Sequence, residues 1–266
     1  MIEYSAIIIN YKTEETTANC LRSLLALPGQ PEKEIILIDN GSEKNNLENI
    51  RNEFGQSIKI ISNADNLGYA AANNQGAALA SGKYLVFLNS DTLVYENIFK
   101  DFQDIFLNNE KVGIISPLLI DKDERLQKIS FGKFPSLSRI ILRKSFWAKI
   151  TKTENNLLPV DWVSGACLVI RKDLFERIGG WDDQFFLYYE DIDLCKRASK
   201  AGYQTVVALN SQITHLGGNS PLENWTRKKH YYQSQDYYFK KHHSPITSGL
   251  LKILRLPMMI IKTWAK

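Results

Sequence analysis

Four short apolar runs punctuate the first 120 residues, at 5–10, 34–39, 58–62 and 84–89. They are rich in β-branched residues and nearly continuous in their apolar character, so each reads as a strand buried on both faces, as in parallel sheets. Between them apolar residues recur at helical spacing over about 14–27, 44–54, 70–80 and 96–109. Strand–helix alternation with short links predicts an α/β chain with βαβ units and a Rossmann-like, mostly parallel central sheet flanked by helices. In such sheets ligands bind beyond the carboxyl ends of the strands. Those ends carry Asn10-Tyr11, Asp39-Asn40 and Asn89-Ser90-Asp91, so three polar clusters converge on one edge.

The pattern changes after Pro117. Residues 121–160 are polar, then basic and apolar, and read as an excursion with one amphipathic helix near 136–150. The run DWVSGACLVI at 161–170 returns as a strand, and 190–201 reads as a helix ending at Gly202. A strand at 204–208 is followed by a loop through His215, and helical patterns occupy about 223–241 and 246–264, with Pro257 bending or interrupting the last.

Composition excludes several classes. The 266 residues are 44% hydrophobic and 23% charged, an ordinary globular balance. The formal net charge of +4 hides an uneven distribution. Residues 125–153 hold eight basic side chains and no acid, and residues 226–266 hold nine basic and one acidic, Asp236, which leaves −12 on the rest. Contact with polyanions or a membrane surface is therefore expected only at those two segments. Cys20, Cys167 and Cys195 are odd in number and far apart, which argues against a disulfide framework or a cysteine zinc site and fits a reducing compartment. The N-terminus lacks the charged start and long apolar run of a signal peptide, and no stretch of 18 apolar residues exists, so the cytoplasm is the expected location.

Five places could carry chemistry. Asp39, before Asn-Gly-Ser, can accept from a ribose hydroxyl or a base N–H, or simply organise a turn. The Gly- and Ala-rich stretch 66–76 can let a ligand approach a helix N-terminus, or can serve tight helix–sheet packing. Asn89-Ser90-Asp91 suits a hard divalent cation that keeps diphosphate oxygens as other ligands, or caps a helix. Glu190-Asp191-Ile-Asp193 opens a helix after the aromatic run 185–189. Capping explains acids there, yet an aromatic-walled pocket could also raise a carboxylate toward general-base use. His215, in Thr-His-Leu-Gly-Gly, could ligate a metal or bind phosphate, whereas His230, His242 and His243 read as a solvated basic face. No G-x-S-x-G and no H-E-x-x-H occurs, so serine hydrolase and zinc protease chemistry are disfavoured.

Taken in order, the stretches SAIIINYKTEE, IILIDNGS, NLGYAAANNQGA, YLVFLNSDT, the long WVSGACLVIRKDLFERIGGWDDQFFLYYEDIDLCKRASKAGYQT, HLGG and YYQSQDYYFKKH resemble family 2 glycosyltransferases with a GT-A fold. The likeness is greatest to bacterial rhamnosyltransferase-like members that build cell-surface polysaccharide. It implies a catalytic domain over 1–222, with 1–120 as the nucleotide-sugar half and 121–222 as the acceptor half, and C-terminal basic amphipathic helices over 223–266. It also implies roles: Asn10, Tyr11 and Asp39 for base and ribose; Asn66, Gly68 and Asn74 beside the nucleotide. Asn89, Ser90 and Asp91 would stand at the D-x-D position, where Asp91 binds Mg²⁺ or Mn²⁺. His215 would complete the metal site, and Trp162, Gly165 and Ala166 would line the acceptor side. Asp191, beside Glu190, would be the base of a single inverting displacement.

The implied partners are a nucleotide-diphosphate sugar, with dTDP-rhamnose ahead of UDP-hexoses or UDP-galactofuranose, and a glycan or polyprenyl-diphosphate-linked acceptor. Residues 138–150 and 246–264 combine apolar clusters with Lys and Arg, and read as interfacial helices on the inner face of the cytoplasmic membrane, or as core-packing helices with basic faces. A nucleotidyltransferase would present a basic Gly-rich loop where Ile9-Asn10-Tyr11-Lys12 stands. A nucleic-acid binder would leave the acidic clusters unexplained, so no nucleic-acid partner is expected. A non-catalytic nucleotide-sugar or membrane-binding protein is the alternative from another class.

Overall fold

The computed structural model describes residues 2–27, 32–42, 47–96, 98–141, 155–217 and 222–263. Its N-terminal half follows the apolar pattern: β1 (Tyr4–Asn10), α1 (Glu14–Leu25), β2 (Lys33–Asn40), α2 (Glu48–Phe54), β3 (Lys59–Asn63), α3 (Tyr69–Ala78) and β4 (Tyr84–Asn89) alternate as expected. Strands β3, β2, β1 and β4 lie side by side in that order and are parallel. The next elements are β5 (Thr92–Leu93), α4 (Ile98–Asn108) and β6 (Val112–Ile120). Strand β6 extends the sheet through residues that the apolar pattern alone leaves unassigned.

Beyond β6 come β7 (Phe131–Gly132), α5 (Leu137–Ile141), β8 (Leu157–Val160), β9 (Trp162–Val163) and β10 (Cys167–Arg171). They lead into α6 (Lys172–Arg177), α7 (Glu190–Lys200), β11 (Gln204–His215), α8 (Asn224–His242) and α9 (Pro245–Thr263). Strand β10 inserts antiparallel between β4 and β6, while β11 runs parallel to β6 and antiparallel to β5 and β8. The result is a mixed sheet in the order β3-β2-β1-β4-β10-β6-β11-β5, with a small β7–β9 ribbon beside it.

Side chains of the central strands alternate between two cores, as a period of two requires. Tyr4, Ala6, Ile8, Val86, Leu88 and Val169 face the helices α1, α2 and α4, where Leu21, Phe54 and Phe102 are buried. Ile7, Ile36, Leu85, Phe87, Leu168 and Ile170 face α3, α6 and α7. The small residues of α3 serve this second core. A Cβ on Gly76 would stand 2.4 Å from Cγ2 of Ile7, so only glycine lets the helix lie this close to β1.

Three expectations need correction. The single strand expected over 161–170 is broken at Ser164-Gly165-Ala166: the Gly165 amide donates to the Asp191 side chain and its carbonyl accepts from the Tyr69 hydroxyl, so Gly165 leaves the strand ladder. The loop expected from 209 to His215 is strand: β11 shifts register between Ala208 and Gln212 and then pairs with both β6 and β5. Helix α9 stays helical through Pro257, which removes the amide hydrogen of one bond without ending the helix. Of the helix expected over 136–150, α5 accounts for the start; residues 142–150 lie outside the described residues.

The C-terminal helices are docked on the body. Tyr238 and Phe239 of α8 and Leu251 of α9 share a third core with Phe185 and Tyr189. Asp193 of α7, fully buried, accepts from Arg197 (2.7 Å), and pairs with Lys241 (2.8 Å) and His242 (2.6 Å) of α8. Burial alone would raise the Asp193 carboxyl, but His242, Arg197 and Lys241 overcome it and hold it at about 2. His242 is therefore no solvated side chain: it is 2% exposed. His230 stacks on Phe186 and His243 on Phe239, so the basic face expected of all three is instead an aromatic contact.

Candidate active site

The carboxyl ends of β1, β2 and β4 open onto one cleft, as the topology requires. Tyr11, Asn40, Asn66, Gly68, Asn89, Ser90 and Asp91 line it. Its floor is a lattice of asparagines. Asn40 donates to Asn66 Oδ1 (2.9 Å), while its own Oδ1 accepts from Asn63 (3.1 Å) and from the Leu67 amide (3.1 Å). Asn66 Oδ1 also accepts from the Gly68 amide at 2.9 Å. Gly68 then turns the chain at φ +87°, and a Cβ there would lie 2.7 Å from the Phe186 carbonyl oxygen. That conformation and that approach leave only glycine, and the Tyr69 amide donates to the same carbonyl at 2.9 Å.

At one end of the cleft stand Asn89, Asp91 and His215. The β5–β11 pairing sets His215 opposite Thr92, and the Leu216 amide donates to the Asp91 carbonyl at 2.9 Å. His215 Nε2 lies 3.3 Å from Asp91 Oδ1 and 3.4 Å from Asn89 Nδ2. Gln127 decides the tautomer. Its Nε2 donates to the His215 carbonyl (2.6 Å), so its Oε1 is an acceptor for Nδ1–H at 2.8 Å. That leaves the lone pair of Nε2 facing Asp91. One imidazole and one carboxylate oxygen, open to a diphosphate, fit Mg²⁺ or Mn²⁺, which keep several non-protein oxygens. Among the described residues no cluster of three or more His, Cys, Asp or Glu forms a fuller cage.

A second cavity adjoins the first across Tyr69, Asn89 and Leu187. Trp162, Gly165, Ala166, Tyr188, Tyr231, Glu190, Asp191 and His215 are in its wall. Tyr188 and Tyr189 both adopt left-handed backbone, at φ 70° and 69°, immediately before α7. Such conformations cost roughly 1–3 kcal/mol each for non-glycine residues and persist only where the surroundings impose them. Here α8 imposes them: Ser234 donates to the Leu187 carbonyl (2.8 Å), Gln235 donates to the Tyr189 hydroxyl (2.7 Å), and Tyr238 packs on Tyr189. The turn delivers the first residues of α7, Glu190 and Asp191, to the cavity.

The Asp191 carboxylate accepts from the Ile192 amide (2.8 Å) and from the Gly165 amide (3.1 Å). The Tyr69 hydroxyl donates to the Gly165 carbonyl at 2.7 Å and so holds that strand break in place. Burial pushes Asp191 up to about 6, although the Gly165 and Ile192 amides pull the other way. Glu190 is pushed well up too, by burial first and by the charge of Asp191 second. Burial thus disfavours charge on both carboxyls, and a charge on Asp191 further disfavours one on Glu190.

Two of the expected ligand-binding residues sit differently from the sequence reading. Asn10 is fully buried, and its amide is committed: it donates to Asp39 (2.9 Å) and Ser42 (3.1 Å) and accepts from Thr17 (2.8 Å) and Thr13 (3.1 Å). It braces Asp39, itself 2% exposed, behind the cleft. Asn74 points to the far side of α3, where it donates to the Trp181 carbonyl (2.8 Å) and accepts from the Trp181 amide (3.0 Å). A helix presents successive residues at about 100° intervals, so a residue five positions after Tyr69 need not share its face. Conversely, Gln127, Phe186 and Tyr231 belong to the site although the sequence does not single them out as site residues, and Asn40, which it places at the strand-end edge, receives no role of its own there. Asn40 had a local signal, standing next to Asp39 at a strand end; the other three are brought in by tertiary packing. The cysteines take no part: all three are free and buried, and burial pushes Cys20 and Cys195 up to about 12.

Comparison with known proteins agrees with this geometry. The structure aligns with GalNAc-T7 solved with UDP, GalNAc and Mn²⁺ at a TM-score of 0.66 and 17% identity, over 90% of this chain and 50% of that one. The architecture is therefore the GT-A fold. A sequence model of glycosyl transferase family 2 matches residues 5–179, and the chain belongs to that family. It is 26% identical over 236 residues to the low-salt glycan biosynthesis hexosyltransferase Agl10 of Haloferax volcanii, covering 87% of this chain and 71% of that protein. It is also 26% identical over 218 residues to an N-acetylglucosaminyl-diphospho-decaprenol L-rhamnosyltransferase of Mycobacterium tuberculosis, covering 74% and 70% respectively.

Proposed function

We propose that this glycosyltransferase moves L-rhamnose from dTDP-rhamnose to a hydroxyl of a glycan or polyprenyl-diphosphate-linked glycan, with inversion, in cell-surface polysaccharide synthesis. The observation that carries the reading is the meeting of two cavities at Tyr69, Asn89 and Leu187, one bordered by Asp91 and His215 and the other by Asp191. Residues 1–120 form the donor half, with Tyr11, Asn40 and Asn66 around the nucleotide, Asp39 braced behind them and Ser90 at the diphosphate end. Residues 121–222 form the acceptor half, with Trp162, Gly165 and Ala166 in its wall. Helix α8, from the 223–266 segment, closes that half through Tyr231.

Asp91 and His215 would hold a divalent cation, which when bound would offset charge developing on the departing diphosphate. Gln127 both orients His215 and fixes its tautomer. Asp191 removes the proton of the attacking hydroxyl as that oxygen bonds to the anomeric carbon, and the nucleoside diphosphate leaves from the opposite face. The aromatic wall excludes water that would otherwise compete as acceptor. Likeness to a rhamnosyltransferase supports the sugar, and likeness to a hexosyltransferase supports the UDP-hexose reading as second choice. A thermal-shift screen of nucleotide sugars with Mn²⁺ and Mg²⁺ separates them. A ligand at 100 times its Kd stabilises by about 2.7 kcal/mol. The largest shift is expected with dTDP-rhamnose; a larger one with a UDP-hexose moves the assignment there, and no metal-dependent shift with any donor overturns it.

The protein works at the inner face of the cytoplasmic membrane. Among the described residues no helix is long and apolar enough to cross a membrane. Helix α9 instead exposes Ile246, Leu250, Ile253 and Leu254, at the spacing of one helical face, with Leu251 buried behind them. Arg255, expected to meet lipid, is committed to α8: it donates to Asp236 (2.8 Å) and lies over Tyr232. Among the described side chains, Lys252 is the basic residue left beside the ridge. Full-length protein should co-sediment with anionic phospholipid vesicles, and the double variant Ile246→Glu with Ile253→Glu should stay in the supernatant. Equal sedimentation of the two, or none by the parent, sinks this membrane assignment.

A further inference from the structure

Glu190 is 6% exposed, lines the same cavity as Asp191, and keeps one carboxyl oxygen, Oε2, buried without a hydrogen-bond partner among the described residues. A buried polar atom left unmatched costs about 1–3 kcal/mol. The nearby hydroxyls are already engaged: Tyr69 donates to the Gly165 carbonyl, and the Tyr231 hydroxyl lies 3.3 Å from that of Tyr189. Among the described residues no Lys or Arg lines this wall. Burial and the adjacent Asp191 charge both favour its protonated form, which presents an O–H donor beside an acceptor oxygen.

From this geometry we infer that Glu190 binds a second hydroxyl of the acceptor, on the carbon next to the one that attacks, so that the site selects sugars presenting a vicinal diol. The inference rests on Asp191 being the base. Consecutive residues on the first turn of α7 then address consecutive carbons of one ring: Asp191 takes the reacting hydroxyl, and Glu190 exchanges hydrogen bonds with its neighbour. The Trp162 and Tyr231 walls supply apolar surface for the ring itself. Glu190 makes and breaks no bond; its effect is on which acceptor binds and in which orientation.

The test is a cycle of variants and acceptors. A panel of octyl glycosides of hexoses and N-acetylhexosamines is assayed with the donor identified above, each beside the monodeoxy analogue lacking the hydroxyl next to the attacked carbon. For the best glycoside, the deoxy change should lower kcat/KM about 10-fold or more in the parent enzyme. Glu190→Ala should lose a similar factor with the full glycoside, mainly as a raised acceptor KM, and should lose nothing further with the deoxy analogue. Glu190→Gln, whose amide can still donate and accept, should keep most of the activity. Donor-induced thermal shift should be unchanged in both variants, which also reports that they fold. Equal losses of Glu190→Ala on full and deoxy acceptors, or a Glu190→Gln loss as large as that of Glu190→Ala, overturns the inference. So does an absence of turnover with every glycoside. Failure of the base assignment is read separately, as turnover that survives Asp191→Asn.

Discussion

Asp191→Asn lowers turnover by roughly 10²–10⁴-fold, the contribution of a positioned general base, and leaves donor binding near that of the parent. The change preserves shape, and the asparagine carbonyl oxygen can still accept one of the two amide bonds from Gly165 and Ile192. What is lost is the capacity to take a proton. The same residue sets the pH profile. Burial pushes its carboxyl up to about 6, so the ionised, active form is gained as pH rises through 6 and lost below it. Acceptor kcat/KM is expected to fall about tenfold per pH unit on the acid side of that value, and the limb should vanish in the residual activity of Asp191→Asn. Steady-state kinetics between pH 5 and 8 measures both. Near-parent kcat in the variant, or a flat profile across 6 in the parent, refutes the assignment.

Asp91→Ala abolishes metal-dependent donor binding and leaves the fold intact. The carboxylate is one of the two protein groups proposed to hold the cation, and the other, His215, is 3.3 Å from it. Loss of a residue that merely orients a ligand typically costs 10–100-fold in metal affinity; loss of the ligand itself should cost more than about 100-fold. Gln127→Ala supplies the comparison, because it removes the acceptor of the His215 Nδ1–H and spares both ligands. Titration of Mn²⁺ followed by electron paramagnetic resonance, with nucleoside diphosphate present, ranks the parent, Gln127→Ala and Asp91→Ala in falling affinity. An unchanged titration for Asp91→Ala removes it from the metal site.

The two carboxylates lie 100 residues apart in the chain, and the fold brings their cavities into contact because β10 reverses direction within the sheet while β11, parallel to β6, keeps the direction of β4 and ends at the same edge. Strand β10 enters antiparallel beside β4, so its N-terminal end, with Gly165 and Ala166 just before it, meets the carboxyl end of β4: the Asn89 amide donates to the Ala166 carbonyl at 3.0 Å. Strand β11 carries His215 to the same edge through its pairing with β5. Helix α8 then locks the strained Tyr188-Tyr189 turn from behind. The docked helix explains why aromatic residues crowd both sequence stretches, 185–189 and 231–239.

Much of this was legible in the amino-acid order. Buried strands of a parallel sheet are apolar on both faces and end in polar residues, so 5–10, 34–39 and 84–89 announced their own boundaries, and with them the edge where Asn40, Asn89 and Asp91 collect. Asp191 was legible because three acids follow five large apolar residues, a combination that helix capping alone does not require. The net charge of −12 outside the two basic segments fits the same picture. What depends on distance in space was not legible. The Gln127–His215 bond spans 88 residues and Asn74–Trp181 spans 107, and no local period encodes either. His242 reads as one more basic side chain until Asp193 is found beneath it. Local periodicity reports how each segment partitions between water and core; only packing decides which polar groups find partners inside. In this protein that decision committed Asn10 and Asn74 to the scaffold, and left Asp191 and Glu190 in the cavity wall with one Glu190 oxygen unpartnered among the described residues.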